Sequence, residues 1–342
     1  MNTPGHGAAR GPLAPKPYDF VPFPASVVRR PLSHGVETVL AGEGYYTGRL
    51  TLKLTTLTPL FVASGRYELS EDLGFPSGGV ARACYRINGR PAIPASSLKG
   101  CVRSIAEAVS PSHVSLSRVD LPDYLRDTRF CRVGEKEKSC PACTLFGTGG
   151  NKAHIGLVRF EDALSDGNLV TKNLNLLPLR APQASGRRIP MAYRDSGGFL
   201  KGRKFYYHSM PIENSAGDPC EVIPEEAHLS SAVAFMNLEG PLLGLLLFSL
   251  SLDDSFKLKL GGGKPLGLGS LSAKATELSL LSQGFLIGAQ ESERKVEASL
   301  SEFAANMIKQ ADQEGLLLAA QKKRLQEILR WPTNRRAAPG PY

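Results

Sequence analysis

Cys140-Pro141-Ala142-Cys143 is a C-x-x-C pair, and Cys131 precedes it in the same polar segment. Two thiolates at this spacing can grip one Zn²⁺ from a tight knuckle, while a third closes from the preceding loop. His113 is the first choice for the fourth ligand, and Cys101, inside an expected helix, is the second. The segment has no apolar pattern of its own, so a structural metal would supply the cross-link its core cannot. Two other readings compete. A redox C-x-x-C opens a helix after a strand, whereas Thr144-Leu145-Phe146-Gly147 and a Gly-Gly turn follow here. Alternatively, the three cysteines are unrelated and structural. Cys84 and Cys220 are expected to be inert.

A second group of residues has the chemistry of anion binding. Gly261-Gly262-Gly263-Lys264-Pro265-Leu266-Gly267-Leu268-Gly269 follows the alternating segment Ser255–Leu260, which reads as a strand with one polar face. Glycines around a lysine let backbone amides approach a phosphate, although the order matches neither a P-loop nor a dinucleotide fingerprint. A mobile hairpin without a ligand is the competing reading. Between Arg180 and His208 stand Arg180, Arg187, Arg188, Arg194, Lys201, Arg203 and Lys204 against a single acid, Asp195. Met191, Tyr193, Phe199, Phe205, Tyr206 and Tyr207 are interleaved with them. Cations that neutralise phosphates beside rings that stack on bases are the composition for single-stranded nucleic acid. Arg187, Arg188 and Met191 read as an exposed finger, and Phe205 and Tyr207 as core.

The elements that must position these groups read as follows. Residues 1–45 form a Pro- and Gly-rich arm, disordered or draped over a neighbour. Arg49–Leu57 alternates with period two and is the first strong strand. A loop runs from Ala63 to about Gly79, followed by a short strand near Ala83–Ile87 and a turn at Asn88-Gly89. Ile93–Val109 leads through serine caps into a helix stopped by Pro111. Pro241–Phe248 reads as a buried strand, too short to span a bilayer. Val296–Trp331 carries helical periodicity, giving one or two closing amphipathic helices. Strand runs with interspersed helices imply an α+β class built on an antiparallel sheet. The 342 residues carry a formal charge of +9, with 42% hydrophobic and 21% charged residues. That is globular composition with a basic surplus suited to a polyanionic partner. The N-terminus has no apolar signal core, and the uneven cysteines are no secreted disulfide scaffold, so a cytoplasmic location and no membrane partner are expected.

Taken together, the sequence resembles the RAMP superfamily, specifically the backbone subunits of class 1 CRISPR effector complexes of type III-D-like character. The resemblance is carried by Leu57-Thr58-Pro59-Leu60, Ile93-Pro94-Ala95-Ser96-Ser97-Leu98-Lys99-Gly100, Cys140–Gly147, Gly202-Arg203-Lys204-Phe205-Tyr206-Tyr207-His208 and the glycine-rich loop. These stretches run from about 50 to 270. The arm and the C-terminal helices fall outside them. The resemblance implies a ferredoxin-like (RRM-like) core over 46–284, with a zinc-knuckle insertion at 111–150 and a thumb-like β-hairpin at about 180–204. C-terminal helices would occupy 285–342. It also implies a chain that stacks with further copies of itself along a guide RNA (crRNA), pairs that guide with target RNA, and works with other CRISPR effector subunits.

Within that picture Ser96, Ser97 and Lys99 would meet a phosphate at a helix N-terminus. Gly263, Lys264, Arg203 and Lys204 would contact the guide, and Arg187, Arg188 and Met191 would form the thumb. Some members of the family cut target RNA with an acid in the loop after the first strand. Here Asp72 is the candidate, with Glu68 and Glu71 behind it, but the run associated with cutting is missing. A non-catalytic RNA-binding scaffold is therefore expected, as in a reduced system such as type VII, where a separate nuclease cleaves. The runner-up is a metal-dependent endoribonuclease of the same architecture. A zinc-containing DNA-binding regulator is a third reading, for which no recognition helix rich in Arg, Lys, Asn or Gln is evident.

Overall fold

The computed structural model describes residues 15–31, 44–76, 78–114, 121, 125, 131, 138–149, 153–177, 179, 191–212, 217–281, 293–295 and 300–337. The chain opens with β1 (Tyr18–Val21), β2 (Arg30–Pro31) and the long β3 (Tyr45–Thr56). It continues with β4 (Ala63–Leu69), β5 (Val80–Cys84), β6 (Arg86–Ile87), β7 (Arg90–Ile93) and α1 (Ala95–Val109). The cysteine segment contributes β8 (Lys138–Ser139) and the short α2 (Pro141–Phe146), and β9 (Val158–Phe160), β10 (Ala163–Ser165) and β11 (Lys172–Leu176) follow. Next come β12 (Arg203–Tyr206), β13 (Asp218–Val222), β14 (His228–Glu239), α3 (Gly240–Ser249), β15 (Leu258–Lys259) and β16 (Ser270–Leu281). The chain ends with β17 (Glu293–Lys295), α4 (Leu300–Gln313) and α5 (Ala319–Ile328). This is a mixed α+β molecule.

The main sheet has the strand order β15-β16-β3-β14-β10-β7-β6, with β9 pairing β14 beyond β10. Every pairing of β3, β9, β10, β14 and β16 is antiparallel. In β3 the alternation of Leu50, Leu52 and Leu54 with Thr51, Lys53 and Thr55 puts all three leucines at or below 1% exposure. Helices α1 and α3 cover that face. In α1, Leu98, Val102, Ile105 and Val109 fall at helical spacing and are buried. A second, four-stranded sheet, β11-β13-β5-β4, has its own cluster of Phe61, Leu174, Leu176, Cys220, Val222, Leu266 and Leu268.

Several expectations change. Pro241–Phe248 is a helix, not a strand: α3 starts at Gly240 with Pro241 in its first turn and is buried on nearly all sides. It contacts α1, α4, β3 and β14, so it needs no polar face. Gly244 makes the close α3–α4 approach possible, because a Cβ there would strike the Met307 backbone. The loop expected from Ala63 to Gly79 is in fact mostly the β4–β5 hairpin, with Leu69 opposite Val80. Helix α1 has no serine cap; its Ala95 amide donates to Asp162 Oδ1 at 2.6 Å. The N-terminal arm is neither loose nor on a neighbour where it is described, since Tyr18–Val21 pairs antiparallel with β12. The two C-terminal helices do form, and Ala304, Met307, Ile308, Ala311, Leu325 and Ile328 join the same core as β3 and α1.

Candidate metal centre and cationic face

His113, Cys131, Cys140 and Cys143 converge, with their donor atoms all within 4.8 Å of one another and all four side chains buried. His113 Nδ1 lies 3.2 Å from both Cys140 Sγ and Cys143 Sγ, and 3.8 Å from Cys131 Sγ. Four donors bonded tetrahedrally at about 2.3 Å stand roughly 3.8 Å apart, so the cluster has the dimensions of a metal site. Local structure explains the convergence. Cys140 is the N-cap of α2 and Pro141 occupies its first turn, so the C-x-x-C does open a helix, contrary to expectation. Ser112 Oγ accepts the Ala142 amide at 3.0 Å, which ties the residue beside His113 to that helix start. The Cys140 amide donates to Cys131 Sγ at 3.3 Å.

Helix position does not exclude a redox pair, but the other two donors favour a bound cation. A redox pair has no use for a third thiol and an imidazole at contact distance, whereas a bound cation uses all four. The alternative fourth ligand, Cys101, points elsewhere, with its thiol donating to the Lys259 carbonyl at 3.6 Å. Burial disfavours the His113 imidazolium, yet its contacts with Cys131 and Cys140 prevail and lift it to about 9. Hydrogen bonds from Cys140 and Cys143 pull the Cys131 thiol down. A metal ion would take the place of the protons these groups share. Burial pushes the Cys84 thiol up to about 12 and raises that of Cys220, which keeps both protonated.

Beside the cluster is a charged group that sequence reasoning missed. Glu107 is 3% exposed and sits between two guanidiniums. Arg103 Nε donates to its Oε1 at 2.7 Å, and Arg203 pairs with its Oε2. Arg103 also donates to the Gly147 carbonyl at 3.0 Å, at the end of α2. Arg203 therefore holds a buried ion pair rather than facing solvent. Its neighbour Lys204 lies over the rings of Tyr18, Tyr193 and Tyr206. A glutamate in the last turn of a helix reads as a surface charge, and only the apolar residues flanking Glu107 hinted at its burial.

The anion-binding candidates are partly redirected. Ser96 is exposed and Ser97 half-buried at the start of α1, but the Asp162 carboxylate already takes the Ala95 amide there. In the glycine loop the amides of Gly262, Gly267 and Gly269 donate to the carbonyls of Phe61, Lys264 and Pro59. Gly267 and Gly269 have φ of +93° and +82° and press on Pro211 and Leu260, so the loop is clamped rather than mobile. Gly263 is buried, and Lys264 is half-buried within the short 3₁₀ turn Lys264–Leu266. What remains for an anion is side-chain charge, at the partly exposed Lys99 and Lys264. Half-buried Lys99 is pushed down by burial and by Arg103, and Lys259 by burial and by Lys264. Met191 is 79% exposed. Arg187 and Arg188 lie outside the described residues. Phe205 and Tyr207 pack against the core as expected. Asp72, Glu68 and Glu71 are exposed on the β4–β5 hairpin.

Lys259 was read onto a polar strand face, yet it is 7% exposed. Its ammonium donates to the Gly267 carbonyl at 3.3 Å and to Ser270 Oγ at 3.1 Å, both neutral partners. His208 Nδ1 meets the same hydroxyl at 2.8 Å, and burial together with Lys259 pushes that imidazole down to about 3.

A family model for the RAMP superfamily matches residues 53–272. The chain belongs to the RAMP superfamily, whose members are CRISPR-associated proteins that bind crRNA and work in multi-subunit complexes. No curated protein matched the sequence. Among the described residues, no helix is long and apolar enough to cross a membrane.

Two outcomes are expected. Metal-replete protein should carry close to one equivalent of zinc by elemental analysis, and Cys140→Ser with Cys143→Ser should lose it; unchanged metal content would remove the site. The second concerns Lys259, which burial holds at about 7, below its ordinary 10.5. The unfolded chain then binds the extra proton between those values, so this residue makes stability rise with pH from about 7 to 10. Urea unfolding of Lys259→Met should show a shallower rise than wild type over that window. Parallel profiles would mean that Lys259 is not held neutral by the fold.

Proposed function

We propose that this chain is a non-catalytic backbone subunit of a CRISPR effector complex, binding guide RNA and presenting it for pairing with target RNA, with copies multimerising along the guide. The observation that carries the reading is the family match over residues 53–272. It is supported by the order of elements β3-α1-(β9, β10)-β14-α3-β16, a β-α-β-β-α-β succession. The corresponding strands stand side by side as β16-β3-β14-β10, all antiparallel, an order that supports reading a ferredoxin-like, RRM-like core. Structural zinc would be held by His113, Cys131, Cys140 and Cys143, cross-linking the segment after α1 to α2. With four protein donors it would be a closed, structural site, leaving no open position for a substrate.

The cations of Lys99 and Lys264 would contact guide phosphates, and Met191 with Arg187 and Arg188 would act as the thumb. Phosphate contacts fix register without reading bases, which suits a subunit that must accept any guide. A specific observation keeps the endoribonuclease reading in play: Asp72, Glu68 and Glu71 share an exposed hairpin where a divalent cation could reach them. Nothing comparable favours a DNA-binding regulator, because α4 and α5 contribute apolar faces to the core.

Binding of single-stranded guide RNA should weaken steeply with salt. Lys99→Ala with Lys264→Ala should flatten the log–log salt slope by about 0.7 for each phosphate left without its lysine, and equally for unrelated guide sequences. A loss confined to one sequence would point to base readout instead. Complexes freed of any accessory nuclease should leave a complementary target RNA intact in Mg²⁺ or Mn²⁺. Regularly spaced cuts abolished by Asp72→Ala would establish the endoribonuclease.

A further inference from the structure

The β1–β12 ribbon has two unlike faces. On one, Val21 is fully buried, Asp19 accepts from the Tyr207 hydroxyl at 2.8 Å, and Arg203 meets Glu107. The other is formed by Tyr18, Phe20, Lys204 and Tyr206, with Tyr18 opposite Tyr206 and Phe20 opposite Lys204. Tyr193, from the 3₁₀ turn Met191–Tyr193, lies across this face with its ring centroid 5.5 Å from those of both Tyr18 and Phe20. Lys204 Nζ stands 4.7 Å from the Tyr18 centroid, 4.9 Å from Tyr193 and 4.7 Å from Tyr206, and donates to the Tyr193 hydroxyl at 2.9 Å.

This arrangement constrains what can bind. Among the described residues, Lys204 has tyrosines for partners and no carboxylate. The nearby acids are engaged elsewhere: Asp19 belongs to the opposite face, and Asp195 Oδ1 accepts the Gly197 and Phe199 amides. Burial works against the Lys204 charge, but the tyrosines prevail and hold it charged. An aromatic cage already filled by its own ammonium excludes a cationic ligand and favours an anionic one. Phe20, Tyr193 and Tyr206 remain half-exposed, beside exposed Met191 and Lys201. Rings plus a cation suit a ligand that is flat and phosphorylated. A duplex hides its bases from such a surface, whereas an unpaired nucleotide offers one.

We propose that the Tyr18–Phe20–Tyr193–Lys204–Tyr206 face is a stacking platform for an unpaired nucleotide of single-stranded RNA, its base on Tyr193 or Tyr206 and its phosphate on Lys204. The assignment rests on the RNA-binding reading above and adds a site to it. The test combines photocrosslinking of a 5-iodouridine-substituted single-stranded RNA with affinities for that RNA and for a blunt RNA duplex. Crosslinks should map to Tyr193 or Tyr206. Alanine at whichever of Tyr193 and Tyr206 carries the crosslink should weaken single-strand binding by between about 5-fold and 150-fold, the worth of one stacked base. Tyr206→Phe should bind as wild type, and duplex affinity should change little.

Wild-type binding with crosslinks elsewhere and unaffected alanine variants would overturn the platform while leaving the RNA-binding reading intact. Equal losses for single strand and duplex, with a lowered melting temperature, would make the tyrosines structural and overturn it too. Failure of the wild-type chain to bind any RNA would overturn both.

Discussion

A buried carboxylate between two guanidiniums governs how the helix, the ribbon and the cysteine knuckle meet. Glu107 belongs to α1, Arg203 to β12, and Arg103 reaches from α1 to the carbonyl that ends α2. Removing one partner from such a pair costs about 3–5 kcal/mol, because it strands a charge in the core. The triad also bears on the metal centre. Three thiolates and a neutral imidazole around a divalent cation leave one net negative charge, and two guanidiniums against one carboxylate leave one positive. Both arginines feel the Cys140 thiol, so with a divalent cation bound the two buried groups would offset one another.

That balance determines which basic residues are left for a polyanion. Arg203 is committed to Glu107, whereas Lys204 stands amid tyrosines with no carboxylate against it among the described residues, so neighbours in sequence face opposite sides of one ribbon. The glycine loop likewise commits its amides to the backbone around Phe61 and Pro59, leaving Lys264 as its contribution to an outer surface. Lys259 lies behind it without reaching solvent, its charge disfavoured by burial and by Lys264. On the proposed reading that surface would attract phosphate through side-chain charge rather than through an amide cradle. Phosphate contacts of that kind carry no sequence information.

The fold was legible where one local pattern decided the outcome. The Leu50–Leu54 alternation marked the central strand, and the spacing of Leu98, Val102, Ile105 and Val109 marked α1. The cysteine spacing marked three of the four converging donors, with His113 chosen for its place after the helix. It was not legible where tertiary context decided. The uniformly apolar Pro241–Phe248 run has no periodicity to separate strand from helix, and only the packing of α3 between sheet and helices settles it. The cap of α1 comes from Asp162, far away in sequence. Glu107 and Lys259 look like surface charges because nothing local signals that their partners approach from β12 and from the glycine loop. The pairing of Tyr18–Val21 with β12 is equally non-local, which is why the arm read as loose.

The central claim is that this RAMP chain coats guide RNA as repeated copies. It is tested most directly by purifying the chain with its bound nucleic acid, digesting with a nuclease, and sizing what is protected. The account predicts RNA, resistant to DNase, in a ladder whose lengths rise by a constant increment for each added copy. DNase-sensitive fragments, or RNA of one footprint length at every protein loading, would contradict it.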